Sequence, residues 1–88
     1  MLLRIAVGEE LRRLREEKEK TLRSVSSSAA ISLGYLSEIE RGLKEPSSEV
    51  LQSIARSLGI SLPEILLRVA FELAREENLE SDLTSIMI

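Results

Sequence analysis

Arg23, Ser32, Ser37, Glu38, Arg41 and Lys44 fall within one short stretch of this chain, with Leu33, Gly34 and Tyr35 among them. Hydroxyls and a carboxylate in such a cluster can exchange hydrogen bonds with base edges, and the cations can pair with phosphate oxygens. Leu33 suits a thymine methyl, and Gly34 lets a backbone approach closely. This is the chemistry of recognition, not of bond making. The chain has no histidine and no cysteine. Their absence removes the commonest general base, the commonest metal ligand and every Ser–His or Cys–His nucleophile. Neither enzymatic activity, nor a metal site, nor a cofactor is expected.

The elements that must carry these residues are two short helical patterns meeting at a tight turn. Leu22, Val25 and Ala29 mark helix 2, about Leu22 to Ala29, with Thr21 as its N-cap. Tyr35, Leu36 and Ile39 mark helix 3, about Leu33 to Arg41, with Ser32 as its N-cap. Gly42 suits a left-handed helix end, and Pro46 blocks continuation. Such a pair reads as a helix-turn-helix, whose second helix lies in the major groove of DNA. Ile31, Leu36 and Ile39 face the core, which turns Ser32, Leu33, Gly34, Ser37, Glu38 and Arg41 outward. Glu38 can accept from a cytosine amino group, while Arg23, Arg41 and Lys44 reach phosphates. Ser32 serves as a cap whether or not it touches a base. Tyr35 reads as a packing residue whose hydroxyl meets the phosphate backbone, and either Arg12 or Arg13 can reach a phosphate.

Around this unit the chain reads as an all-α, five-helix domain over residues 7–76, followed by a tail over 77–88. Met1 to Ala6 is expected to form an arm. Helix 1 is expected from Val7 to Lys18, with Val7, Leu11 and Leu14 as its apolar stripe. Glu9, Glu10 and the arginines cover its other faces, with Glu9–Arg13 and Arg12–Glu16 as i,i+4 pairs. Helix 4 spans Ser48 to Leu58, its core face formed by Val50, Leu51, Ile54, Ala55 and Leu58. Ser61, Pro63 and Glu64 open helix 5, Leu62 to Glu77. Helix 5 carries more apolar surface than one core face needs, which suggests a second buried face.

The 88 residues suffice for one modest core. An apolar fraction of 43% with 31% charged residues excludes a disordered chain. No apolar run approaches the roughly 20 residues that span a bilayer, and Met1–Ile5 is too short for a signal peptide. No membrane association is expected; a cytoplasmic, nucleoid-associated location is. The net charge of −3 opposes binding to a polyanion, but it is unevenly spread. Residues 1–44 hold nine Lys/Arg against seven Asp/Glu, and residues 45–88 hold three against eight. The basic excess lies in the helix-turn-helix half and is small, so specific contacts must outweigh the phosphate term.

The run Val25-Ser26, Ala30-Ile31-Ser32, Tyr35-Leu36-Ser37-Glu38-Ile39-Glu40-Arg41-Gly42 and Pro46, followed by Val50, Ile54-Ala55 and Leu58-Gly59-Ile60, resembles the lambda-repressor-like (Xre-type) helix-turn-helix family. The resemblance covers roughly residues 7–73. Thr21-Leu22-Arg23, Ser32 to Gly42 and Lys44 to Glu49 are similar to one branch, the actinobacterial regulators of Clp protease genes. That likeness implies a transcriptional activator of proteolysis and stress genes. The family also implies a pair between Arg15 of helix 1 and Glu40 of helix 3, tying the reading helix down; a solvated pair contributing under about 1 kcal/mol is the other reading. Two positions depart from the family. Leu22 stands where a glutamine usually meets a phosphate, leaving Arg23 to take over that contact. Ala30 stands where the turn usually has glycine, at a cost of about 1 kcal/mol if its φ is positive.

One small helix-turn-helix offers limited specificity, so a homodimer on a palindromic double-stranded operator is expected. Leu67, Phe71, Leu79, Leu83, Ile86 and Met87 are the expected interface, unless the tail folds back over its own domain. Activation would also need a contact with RNA polymerase, for which no surface is marked. Two other readings stand beside this one: the antitoxin of a toxin–antitoxin pair, with helix 5 and the tail covering the toxin, and a protein-interaction module without DNA affinity. Mutating Arg23, Arg41 and Lys44 would leave partner binding intact in the last case.

Overall fold

A computed structural model describes residues 1–87; Ile88, the last residue of the expected tail, lies outside the described residues. Six α-helices follow one another: α1 Leu3–Glu17, α2 Leu22–Ala29, α3 Leu33–Glu40, α4 Ser48–Leu58, α5 Leu62–Glu76 and α6 Glu80–Met87. There is no strand among the described residues.

The helix starts follow from local chemistry. Thr21 accepts from the Ser24 N–H while Ser24 Oγ accepts from the Thr21 N–H, a reciprocal cap that offsets the poor helix propensity of the serines in α2. Ser32, Ser47 and Ser61 likewise accept from the backbone N–H three residues on, opening α3, α4 and α5. The stops are less conventional. Glu19, Ala30 and Asn78 take positive φ of 56°, 58° and 59° where glycine is the unstrained choice. After Ala30, the Ile31 N–H reaches back to the Ser26 carbonyl, so the orphan carbonyls of α2 are satisfied despite the strain.

Leu11 and Leu14 of α1, Val25 of α2, Leu36 and Ile39 of α3, Ile54 and Leu58 of α4 and Ile65 of α5 meet in one core. Burying each of these side chains stabilises the fold by roughly 2 kcal/mol before chain entropy is charged against it. α1 packs on α3 and α5, and α2 packs on α3 and α4. α3 is thereby held on two sides.

Three expectations need correction. The arm expected at Met1–Ala6 is helical from Leu3 onward, one turn earlier than foreseen, because Ile5 and Ala6 lie against the fold and Arg4 Nε donates to the Gly42 carbonyl at 3.0 Å. Arg13 pairs with Glu10 rather than Glu9. Glu10, expected on a solvated face, is only 3% exposed. It is stabilised there by Arg13 and by Arg68, whose Nη1 lies 3.8 Å from Glu10 Oε1. Glu72 of α5 is also buried and meets Arg13 at 3.7 Å and its neighbour Arg75. Buried carboxylates need such partners, and this network ties α1 to α5. The Arg12–Glu16 pair forms at 3.5 Å on the open surface.

The tail is the helix α6, turned back at Asn78, where the Leu79 N–H donates to the Ala74 carbonyl. It packs on α5. None of its described residues is buried.

Candidate nucleic-acid interface

α3 presents its first turn to solvent. Ser32, Leu33 and Gly34 are exposed, and a side chain at Gly34 would meet nothing within 4 Å. Leu33 stands 38% exposed on a helix whose other leucine, Leu36, is fully buried. One turn later Ser37 and Glu38 are half-buried, and Arg41 and Lys44 follow, exposed, at the far end. Arg41 Nε lies 3.4 Å from the Ser37 carbonyl, so its side chain folds along α3. Tyr35 packs partly against the core. Arg23 is exposed on the first turn of α2.

A shallow cleft of about 220 Å³ joins three helices beside α3. Ser37, Glu40 and Arg41 line it from α3, Arg12 and Arg15 from α1, and Leu22 from the first position of α2. The Ser37 hydroxyl, the Arg12 and Arg41 guanidinium groups and the amino-terminal end of α2 favour an anion there, while Arg15 is paired with the Glu40 carboxylate. Leu22 itself packs against the hydrophobic core, which explains an apolar residue where the family has glutamine. Of the two helix 1 arginines, either of which was expected to reach a phosphate, Arg12 stands at this cleft, whereas Arg13 is engaged with Glu10 and Glu72 on the α5 side.

Beneath the cleft, Arg15 donates through Nε to Glu40 Oε2 at 2.8 Å and through Nη2 to Glu40 Oε1 at 3.0 Å. Its Nη1 donates to the Lys20 carbonyl at 2.9 Å, so one guanidinium joins α1, α3 and the α1–α2 connector. The bond to Glu40 raises the Arg15 pKa above the usual guanidinium value, with burial acting in the opposite direction. A raised pKa on a base means that the fold favours the charged guanidinium, so loss of the Arg15 proton breaks the pair only at strongly alkaline pH.

The residues expected to form a dimer surface fall on two separate surfaces. Leu67 and Phe71 line a polar depression shared with Glu10, Arg13, Arg68 and Arg75. Leu79, Leu83 and Ile86 line an apolar groove with Ala70, Leu73 and Ala74, where α6 lies along α5. Ile86 is 80% exposed and Met87 is also open. Arg4 and Gly8, which touch the end of α3, were missed from sequence; the only available signal was a glycine within an otherwise strong helix pattern.

A small all-helical fold in which α1 and α2 hold an exposed recognition helix, with cations beside it, is that of a helix-turn-helix transcriptional regulator, a class without catalytic activity. Residues 11–65 match the family model described as Helix-turn-helix, and the chain belongs to that family, in its Xre-type branch. It is 51% identical over 78 residues to the transcriptional regulator ClgR of Mycobacterium tuberculosis, which covers 89% of this chain and 70% of that protein. It is 44% identical over 63 residues to the HTH-type transcriptional regulator DdrOP3 of Deinococcus deserti, covering 72% of this chain and 49% of that protein. The crystal structure of the clp gene regulator ClgR from Corynebacterium glutamicum superposes with a TM-score of 0.85 at 41% identity, covering 99% of this chain and 92% of that one. The restriction-modification controller protein C.AhdI from Aeromonas hydrophila shares the fold, with a TM-score of 0.69 at 24% identity over 70% of this chain and 94% of that one. No helix among the described residues is long and apolar enough to cross a membrane.

Proposed function

We propose that this protein regulates transcription by binding a palindromic double-stranded operator as a homodimer, with α3 of each protomer in a major groove. The observation that carries this reading is the exposed first turn of α3 beside the three-helix cleft. Ser32, Leu33, Gly34, Ser37 and Glu38 read base edges, and Arg23, Arg41 and Lys44, with Arg12, hold phosphates. The Tyr35 hydroxyl lies at the backbone. Such a division puts position in the cations and sequence in the short side chains of α3.

Dimerisation runs through α6 and the groove it forms with α5. Leu79, Ile86 and Met87 leave apolar area open to water there, which a second protomer would cover. The likeness to a clp gene regulator supports a role at clp genes. We read that role as activation, which requires a contact with RNA polymerase, in the nucleoid of the cytoplasm.

A binding selection on random duplexes tests this directly. Enrichment of two inverted half-sites about one helical turn apart is the expected result. Failure to enrich any sequence, with binding lost at moderate salt, would overturn it and favour a protein partner for α5 and α6. For activation, a reporter driven by the enriched site should rise on expression of the protein; a fall would make it a repressor.

A further inference from the structure

The first two turns of α1 touch the end of α3 more closely than side-chain packing allows. A Cβ on Gly8 would stand 2.3 Å from the Ile39 carbonyl oxygen and 2.8 Å from that of Glu40. Both are backbone atoms, so they cannot step aside as a side chain can. Gly8 is buried and helical, so the glycine is there for this approach rather than for helix formation. Gly42, at φ +74°, returns the contact: a Cβ there would lie 2.9 Å from Ile5 Cγ1 and 3.0 Å from Ile5 Cα. Arg4 Nε then donates to the Gly42 carbonyl at 3.0 Å. Arg15 grips Glu40 from the other side of this crossing.

We propose that Arg4 and Gly8 are positioning residues for DNA reading, setting the angle at which α3 enters the groove. The inference rests on the reading of α3 given above. Arg4 and Arg15 are about 16 Å apart along α1 yet grip Gly42 and Glu40, two residues apart, so α1 holds the carboxyl-terminal end of α3 from both sides. The short groups that read bases need fixed geometry to hydrogen-bond, whereas long cationic side chains follow a phosphate through small displacements. Releasing α1 from α3 therefore weakens sequence reading and spares general affinity. Arg4 is not a phosphate ligand on this account, because its Nε is committed to a carbonyl.

The test is titration of the selected operator and of an unrelated duplex with Gly8→Ala and Arg4→Ala at several salt concentrations, at a temperature where circular dichroism shows wild-type helix content. Operator affinity should fall about tenfold for Gly8→Ala and several-fold for Arg4→Ala, while affinity for the unrelated duplex stays within about twofold. The salt slope should not change. A slope smaller by about one for Arg4→Ala would make it a phosphate contact and overturn the proposal. Equal losses on both duplexes would reduce the pair to general stability and overturn it as well. If Gly8→Ala does not fold, Arg4→Ala carries the test. If the wild type itself prefers no sequence, the DNA reading has failed, and amide resonances decide the clamp. Changes centred on Ile39 to Leu43 in Arg4→Ala support it, and unchanged resonances there refute it.

Discussion

Arg15 and Glu40 form a two-pronged pair, 2.8 Å and 3.0 Å, between the end of α1 and the end of α3. Their side chains are only 13% and 6% exposed, so this is not the solvated pair that surface arginines usually make. Removing one partner leaves the other charge with little water. Arg15→Ala should cost about 3 kcal/mol in urea denaturation, and the double change Arg15→Met with Glu40→Leu should cost clearly less than the two single changes together. Additive losses would show that the pair contributes no coupling.

Ala30 gives the opposite kind of prediction. It sits at φ 58° and ψ 43°, a left-handed conformation that a Cβ makes unfavourable. Ala30→Gly should raise stability by about 1 kcal/mol and the melting temperature by several degrees. Thermal unfolding followed by circular dichroism measures it. A melting point unchanged or lowered would mean the unfolded chain's added freedom cancels the relief.

The turn at Ala30 was legible as a turn because a serine cap and two apolar triads bracketed it. Its strain was legible only as a condition on φ. The cores of α2, α3 and α4 were equally readable, since Val25, Leu36, Ile39, Ile54 and Leu58 repeat at helical spacing. What periodicity could not show was which charged residues turn inward. Glu10 lies on a helix rich in charge, and its burial depends on Arg68, which arrives from α5 far along the chain, as well as on Arg13 beside it. The same limit hid Gly8 and Arg4: close backbone approach is a property of two helices together. The apolar residues of α5 and α6 read from sequence as one dimer surface, yet Leu67 and Leu83 line different depressions.

That separation makes the dimer testable by parts. Ile86→Asp and Leu79→Asp should shift sedimentation toward one chain at micromolar concentration, because each places a carboxylate in the apolar groove face. Leu67→Asp should change the distribution far less. A wild type that sediments as one chain at high concentration would remove the dimer altogether.

Arg41 and Lys44 should act through phosphates. Replacing either by alanine should weaken operator and unrelated duplex alike and reduce the salt slope by about one. Loss confined to the operator would instead make the side chain a base reader.

The most direct test of the central claim compares sequence selections by the wild type and by Glu38→Ala. If α3 reads the groove, both should enrich inverted half-sites at the same spacing, with the preference changed at one position, symmetrically, in each half-site. An identical enriched motif in both, across parallel changes at Ser37 and Leu33, would contradict the claim that this helix reads DNA.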